Sequence, residues 1–122
     1  MDLPQVVAQQ LSVDPAQAER GLGAIFMSVR MAVDAGTFAR VTAAFPDADM
    51  WMRAIDLSGG RTGEILALAS PAALRRQLKL AGFTEKDIRQ LGSTVGAALQ
   101  AGLRPETFDQ IAARVPLLKG AS

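Results

Sequence analysis

Asp47 and Asp49 flank Ala48 directly after Pro46, and they are the closest approach to a paired-carboxylate motif in this chain. A cation site there needs further oxygen ligands. The calcium-loop pattern, with a glycine at the sharp turn and a closing glutamate, is absent. Nothing fixes a second carboxylate across a cleft, as an acid pair for glycoside hydrolysis requires. Asp47 is better placed as the N-cap of a helix, with Asp49 in its favourable first turn. No metal site is expected.

Residues 58–64 read Ser-Gly-Gly-Arg-Thr-Gly-Glu, the one motif-like loop in the sequence. Glycine-rich backbone running into a helix N-terminus can hold an anion, which makes Gly59, Gly60, Arg61 and Thr62 the candidate anion-binding residues. No lysine followed by Ser/Thr closes the loop and no strand precedes it, so the phosphate-loop pattern is missing. A plain connection between two short helices accounts for the same glycines.

Arg75, Arg76 and Lys79 make a basic face, continued by Lys86 and Arg89. Phosphate contact is the chemistry such a face suggests. Glu85 and Asp87 dilute it and no aromatic residue interleaves, so a solvated helix face is expected and nucleic acid is not.

Met50-Trp51-Met52 is the most distinctive local feature. Together with Met27, Met31 and Phe45 it concentrates polarisable side chains in the first half of the chain. Methionine and tryptophan suit irregular apolar surfaces and interfaces. Successive helical residues point about 100° apart, so the three cannot all face one core, and at least one should face a second layer, a partner or a ligand. These six residues are the candidate interface or apolar pocket, with core packing as the competing explanation.

The chain has no histidine, cysteine or tyrosine. That removes the commonest general base, thiolate chemistry and disulfides. An enzyme is not expected, and no cofactor is implied. The net charge is +1, too small to draw the protein to nucleic acid or a membrane. The charge is unevenly spread: residues 1–60 hold four basic and seven acidic side chains, and residues 61–122 hold nine and five. Opposed ends of this kind can favour self-association, but ordinary variation of surface charge is the expected explanation. No secretory signal pattern follows Met1 and no apolar run is long enough to span a bilayer, which makes a cytoplasmic location the default expectation.

The elements that must carry these residues are helical. Sliding the chain by 70 residues places 12–46 on 82–116 without a gap. Thr37-Phe38 falls on Thr107-Phe108, Ala43 on Ala113 and Pro46 on Pro116, while Ile25, Val29 and Val41 fall on Val95, Leu99 and Ile111. Each unit predicts a short helix, a long helix and a shorter one. The first helices span residues 3–10 and 71–80, with Pro71 at an N1 position and Gly82 as a C′ glycine. Asp14-Pro15 and Thr84 start the long helices, with Gln17 and Asp87 placed to complete capping boxes. Ala18, Leu22, Ile25, Val29 and Val33 recur at helical spacing, as do Ile88, Leu91, Val95 and Leu99. Asp34 and Arg104 mark the turns into the third helices, which Pro46 and Pro116 stop. Gly21, Gly23, Gly92 and Gly96, inside the long helices, are expected to admit close neighbours.

Residues 47–70 have no copy. They predict a short helix over 47–55, a loop, and another short helix over 62–69. Residues 119–122 are expected to fray. The chain is therefore read as one all-α domain over residues 1–122: a compact bundle of about seven helices, with an internal repeat over 3–46 and 71–116.

The first unit runs from Leu11 through Ser-Val-Asp-Pro-Ala-Gln-Ala-Glu-Arg-Gly-Leu-Gly-Ala to Ile25, then Phe38, then Phe45-Pro-Asp-Ala48. In this pattern it resembles the bacterial domain-of-unknown-function 2780 family, over about residues 8–50. The resemblance implies a helical fold and a bacterial origin. It implies no activity and carries over no site residue. The expected function is a non-catalytic interaction module that self-associates or binds a protein partner. The alternative is a carrier for a small apolar ligand or lipid, in a pocket near Met27, Met31, Phe45 and Trp51.

Overall fold

A computed structural model describes residues 3–57 and 71–119. Seven α-helices form among the described residues: α1 (Leu3–Leu11), α2 (Pro15–Ala32), α3 (Ala35–Ala44), α4 (Ala48–Leu57), α5 (Pro71–Leu80), α6 (Glu85–Gly102) and α7 (Pro105–Arg114). A 3-10 turn, Pro116–Lys119, follows. No strand occurs among the described residues, and the fold is all-α. The second short helix expected over residues 62–69 lies outside the described residues, as does the loop before it.

Local chemistry sets the helix ends. Thr84 and Asp87 form a reciprocal capping box: the Asp87 N–H donates to the Thr84 hydroxyl and the Thr84 N–H donates to the Asp87 carboxylate, both at 3.1 Å. Asp14 makes no side-chain cap bond, and the Gln17 amide lies over Gly82 instead of folding back. At α3 the Thr37 N–H donates to Asp34 Oδ1 at 3.0 Å. The helices before Pro46 and Pro116 end in matching non-helical residues, Phe45 (φ −130°, ψ 78°) and Val115 (φ −123°, ψ 80°), as a following proline requires.

The long helices α2 and α6 each hold 18 residues, and the third helices α3 and α7 each hold 10. Both pairs begin 70 residues apart, at Pro15 and Glu85 and at Ala35 and Pro105. α1 and α5 also end alike. The Val13 N–H donates to the Ala8 carbonyl and the Phe83 N–H to the Leu78 carbonyl, each the long bond of a Schellman turn. The left-handed residue in these turns is Ser12 (φ 56°) in one and Gly82 (φ 100°) in the other.

One core runs through the molecule. Leu22, Ile25 and Phe26 of α2 and Ile88, Leu91 and Leu99 of α6 are fully buried in it. α1 and α5 each pack against both long helices, and α4 lies along α2. The Phe83 ring sits against Gly21, so the turn after α5 docks on α2. Gly92 and Gly96 receive the backbone of Leu117 and Leu118. Their neighbour is thus the C-terminal 3-10 turn, which the sequence does not announce, and Leu118 is buried.

Candidate functional site

The six candidate interface residues separate into three environments. Met27 and Met52 are core, each at most 5% exposed, and Met31 packs half-buried against the same core. Met50 points outward and is 54% exposed. Trp51 and the half-buried Phe45 flank the Phe26 ring, at centroid distances of 5.3 and 5.7 Å and tilted by 56° in both pairs, a favourable aromatic geometry. The divergence of Met50 from its two neighbours follows from helical spacing once α4 lies against α2. Gly59, Gly60, Arg61 and Thr62, the candidate anion loop, lie outside the described residues.

Phe45 and Trp51 line a recess of about 340 Å³, closed by Leu3 and by Ala98, Ala101 and Gly102 of α6. The three α6 residues stand at i, i+3 and i+4, one face of the helix, and their small side chains leave the space. Gly102 approaches the Phe45 ring closely enough that a Cβ there would stand 3.4 Å from it. Asp47 sits at the rim. Asp47 also precedes α4, where its carbonyl accepts from the Trp51 N–H at 3.1 Å.

A second hollow, of about 680 Å³, adjoins the first and shares Ala44 and Gly102 with it. Arg40 of α3, Arg104 at the head of α7 and Thr107 in its first turn line this part. The first hollow is apolar beside Trp51, and the second, between the end of α3 and the α6–α7 corner, is lined by the two arginines. The aromatic wall is legible in the sequence and the cationic lining is not. Only the 70-residue comparison carries a usable signal, since it sets Arg104 against Asp34.

The basic face of α5 is partly neutralised within the chain. Arg75 Nη1 lies 3.1 Å from Glu85 Oε2, and Lys79 pairs with the other oxygen of the same carboxylate. The hydrogen bond from Lys79 leads the effects holding the Glu85 carboxyl below its ordinary range. No group of three or more acidic side chains able to hold a metal occurs among the described residues.

The chain matches, over residues 1–92, the family described as protein of unknown function VcgC/VcgE (DUF2780). It belongs to that family. The DUF2780 match covers three quarters of the chain and spans the aromatic wall of the recess, including Phe45 and Trp51. It ends at Gly92, so Ala98 and Ala101 of the recess and Arg104 and Thr107 of the second hollow lie beyond the matched DUF2780 stretch. No curated protein and no solved structure matches the chain.

Among the described residues, no helix is long and apolar enough to cross a membrane.

Proposed function

We propose that this protein is a non-catalytic binding protein whose recess between α3 and α6 takes a small apolar ligand or a lipid chain beside Trp51. The observation that carries this reading is the recess of about 340 Å³ walled by Phe45, Trp51, Leu3 and the small residues of α6. Its size lies at the lower end of the roughly 300–1,000 Å³ typical of small-ligand sites. The sequence alone favours a protein partner over a small ligand; the recess beside Trp51 supports the small-ligand reading. We also read the two halves as copies of one scaffold, supported by the constant offset of their helix starts.

Trp51 is the sole tryptophan of the chain, so its emission reports on the recess without interference. Titration with decanol should change Trp51 emission saturably. Ala101→Phe, which fills the recess from the exposed side of α6, should abolish that response while leaving the helical circular dichroism intact. An unchanged emission spectrum across a decanol series sinks the reading.

A second reading, association through an exposed apolar surface, is favoured by Met50 and by Leu80, which is 75% exposed. Light scattering distinguishes it: a concentration-dependent mass that Leu80→Gln or Met50→Gln returns to the monomer value supports association, and a strict monomer at millimolar concentration removes it.

A further inference from the structure

Among the described residues, Asp47 is the one ionisable side chain that lines the recess beside Trp51. It stands directly before α4, where a carboxylate commonly caps the helix. Its side chain nevertheless makes no hydrogen bond and no ion pair among the described residues. Asp49, two residues on, differs: Arg53 lies 2.8 Å from its carboxylate, so that charge is already answered within the helix. Arg40 and Arg104 line the neighbouring hollow and do not line the recess. The recess therefore carries one negative charge, and no cation of the chain lines it among the described residues.

The rest of its lining is apolar, with two aromatic rings in it. Exposure gives the recess a direction. Asp47 is exposed and Phe45 half-buried, while Trp51, at 3%, lies deepest of the three. An aromatic face carries negative charge density that attracts a cation. A carboxylate adds the opposite charge and acceptor oxygens for ammonium N–H groups. Rings and an unmatched carboxylate at the open edge of an apolar recess thus suit an ammonium group with a hydrocarbon chain behind it. The same lining repels a carboxylate or phosphate head.

We propose that the recess selects a protonated alkylamine, with its ammonium group at Asp47 beside the Phe45 ring and its hydrocarbon chain beside Trp51. This rests on the function proposed above and narrows its ligand from any apolar molecule to a cationic amphiphile.

The test uses the full chain and three ligands of one chain length, decylamine, decanol and decanoate, each followed by Trp51 emission at neutral pH. Decylamine should bind about threefold to tenfold more tightly than decanol, the scale of an exposed ion pair helped by a cation–π contact. Decanoate should bind more weakly than decanol. Raising the ionic strength should shrink both differences. Asp47→Asn keeps a residue suited to the start of a helix and should bring the three affinities together. Asp49→Asn removes the same charge where Arg53 already answers it, and should leave their order unchanged. Equal affinities for decylamine and decanol overturn the inference and leave the apolar-ligand function standing, as does tightest binding of decanoate. A preference for decylamine that survives Asp47→Asn, or is lost equally in Asp49→Asn, also overturns it. No response to any of the three removes both the inference and the apolar-ligand function. A response to decylamine alone, abolished by Asp47→Asn, upholds the ammonium site and removes the reading in which a neutral ligand binds.

Discussion

Asp34 is the N-cap of α3 and Arg104 the N-cap of α7: the Asp34 carboxylate accepts from the first turn of its own helix, whereas Arg104 makes no side-chain cap bond. The hydrogen bond from Thr37 holds the Asp34 carboxyl below its ordinary range, and the Lys79 contact does the same for Glu85. A carboxylate with a lowered folded pKa adds stability that is complete above its unfolded value, roughly 4, and is lost as pH falls through the folded value. The urea midpoint should therefore be flat near neutrality and decline on the acid side. Asp34→Asn keeps a good cap while removing the titration, and with Glu85→Gln it should flatten the acid limb. An acid limb unchanged in the double variant contradicts this assignment.

The capping contrast between the two long helices gives a second expectation. Thr84 donates and accepts within a complete capping box, whereas Asp14 makes no side-chain cap bond. Thr84→Ala should cost about 1 kcal/mol, and Asp14→Ala should stay within about 0.5 kcal/mol, both by urea denaturation. Equal losses at the two sites are the result that refutes the difference.

Ser12 and Gly82 occupy the left-handed position of matching turns. A non-glycine residue there pays a steric penalty of about 1–2 kcal/mol, partly offset because glycine is more costly to order. Ser12→Gly should stabilise by about 0.5–1 kcal/mol. Gly82→Ser should destabilise by more, because its Cβ would also meet the Gln17 amide at 2.9 Å. Melting temperatures of the two single variants decide it: a loss on Ser12→Gly counts against the turn assignment.

The helix ends were legible because each carries its own short-range signal: Pro15, Asp34, Pro46, Pro71, Thr84 with Asp87, and Pro116. These act within one turn, so sequence order is enough. The core stripes of α2 and α6 were legible for the same reason, through helical spacing. The second hollow was not. Arg40 and Arg104 are ordinary surface residues on helices far apart in the chain, and only the docking of the α6–α7 corner beside α3 brings them to one hollow. Met27 and Met52 looked like interface residues because composition cannot tell which face of a helix its neighbours cover. Gln17 sits where a capping box needs it, yet its amide lies beside Gly82, across the molecule.

The C-terminal turn escaped notice because Pro-Leu-Leu-Lys carries no helical period, yet it makes the sharpest packing demand in the structure. A Cβ at Gly96 would fall far inside van der Waals contact distance of the Leu118 carbonyl oxygen, and one at Gly92 would collide with Leu117. The obstacle at Gly96 is backbone, which cannot rotate away. Gly96→Ala should therefore cost about 1–3 kcal/mol of overpacking, against a gain of about 1 kcal/mol in helix propensity. The same substitution at Gly36, an exposed α3 position with nothing within 4 Å of a new Cβ, meets no obstacle and should stabilise by about 0.5–1 kcal/mol. Leu118→Ala, at 2% exposure, should cost about 2–4 kcal/mol if the turn is part of the core. Urea denaturation of the three variants gives the signs directly. A stabilising Gly96→Ala together with a neutral Leu118→Ala is the outcome that detaches the turn from α6.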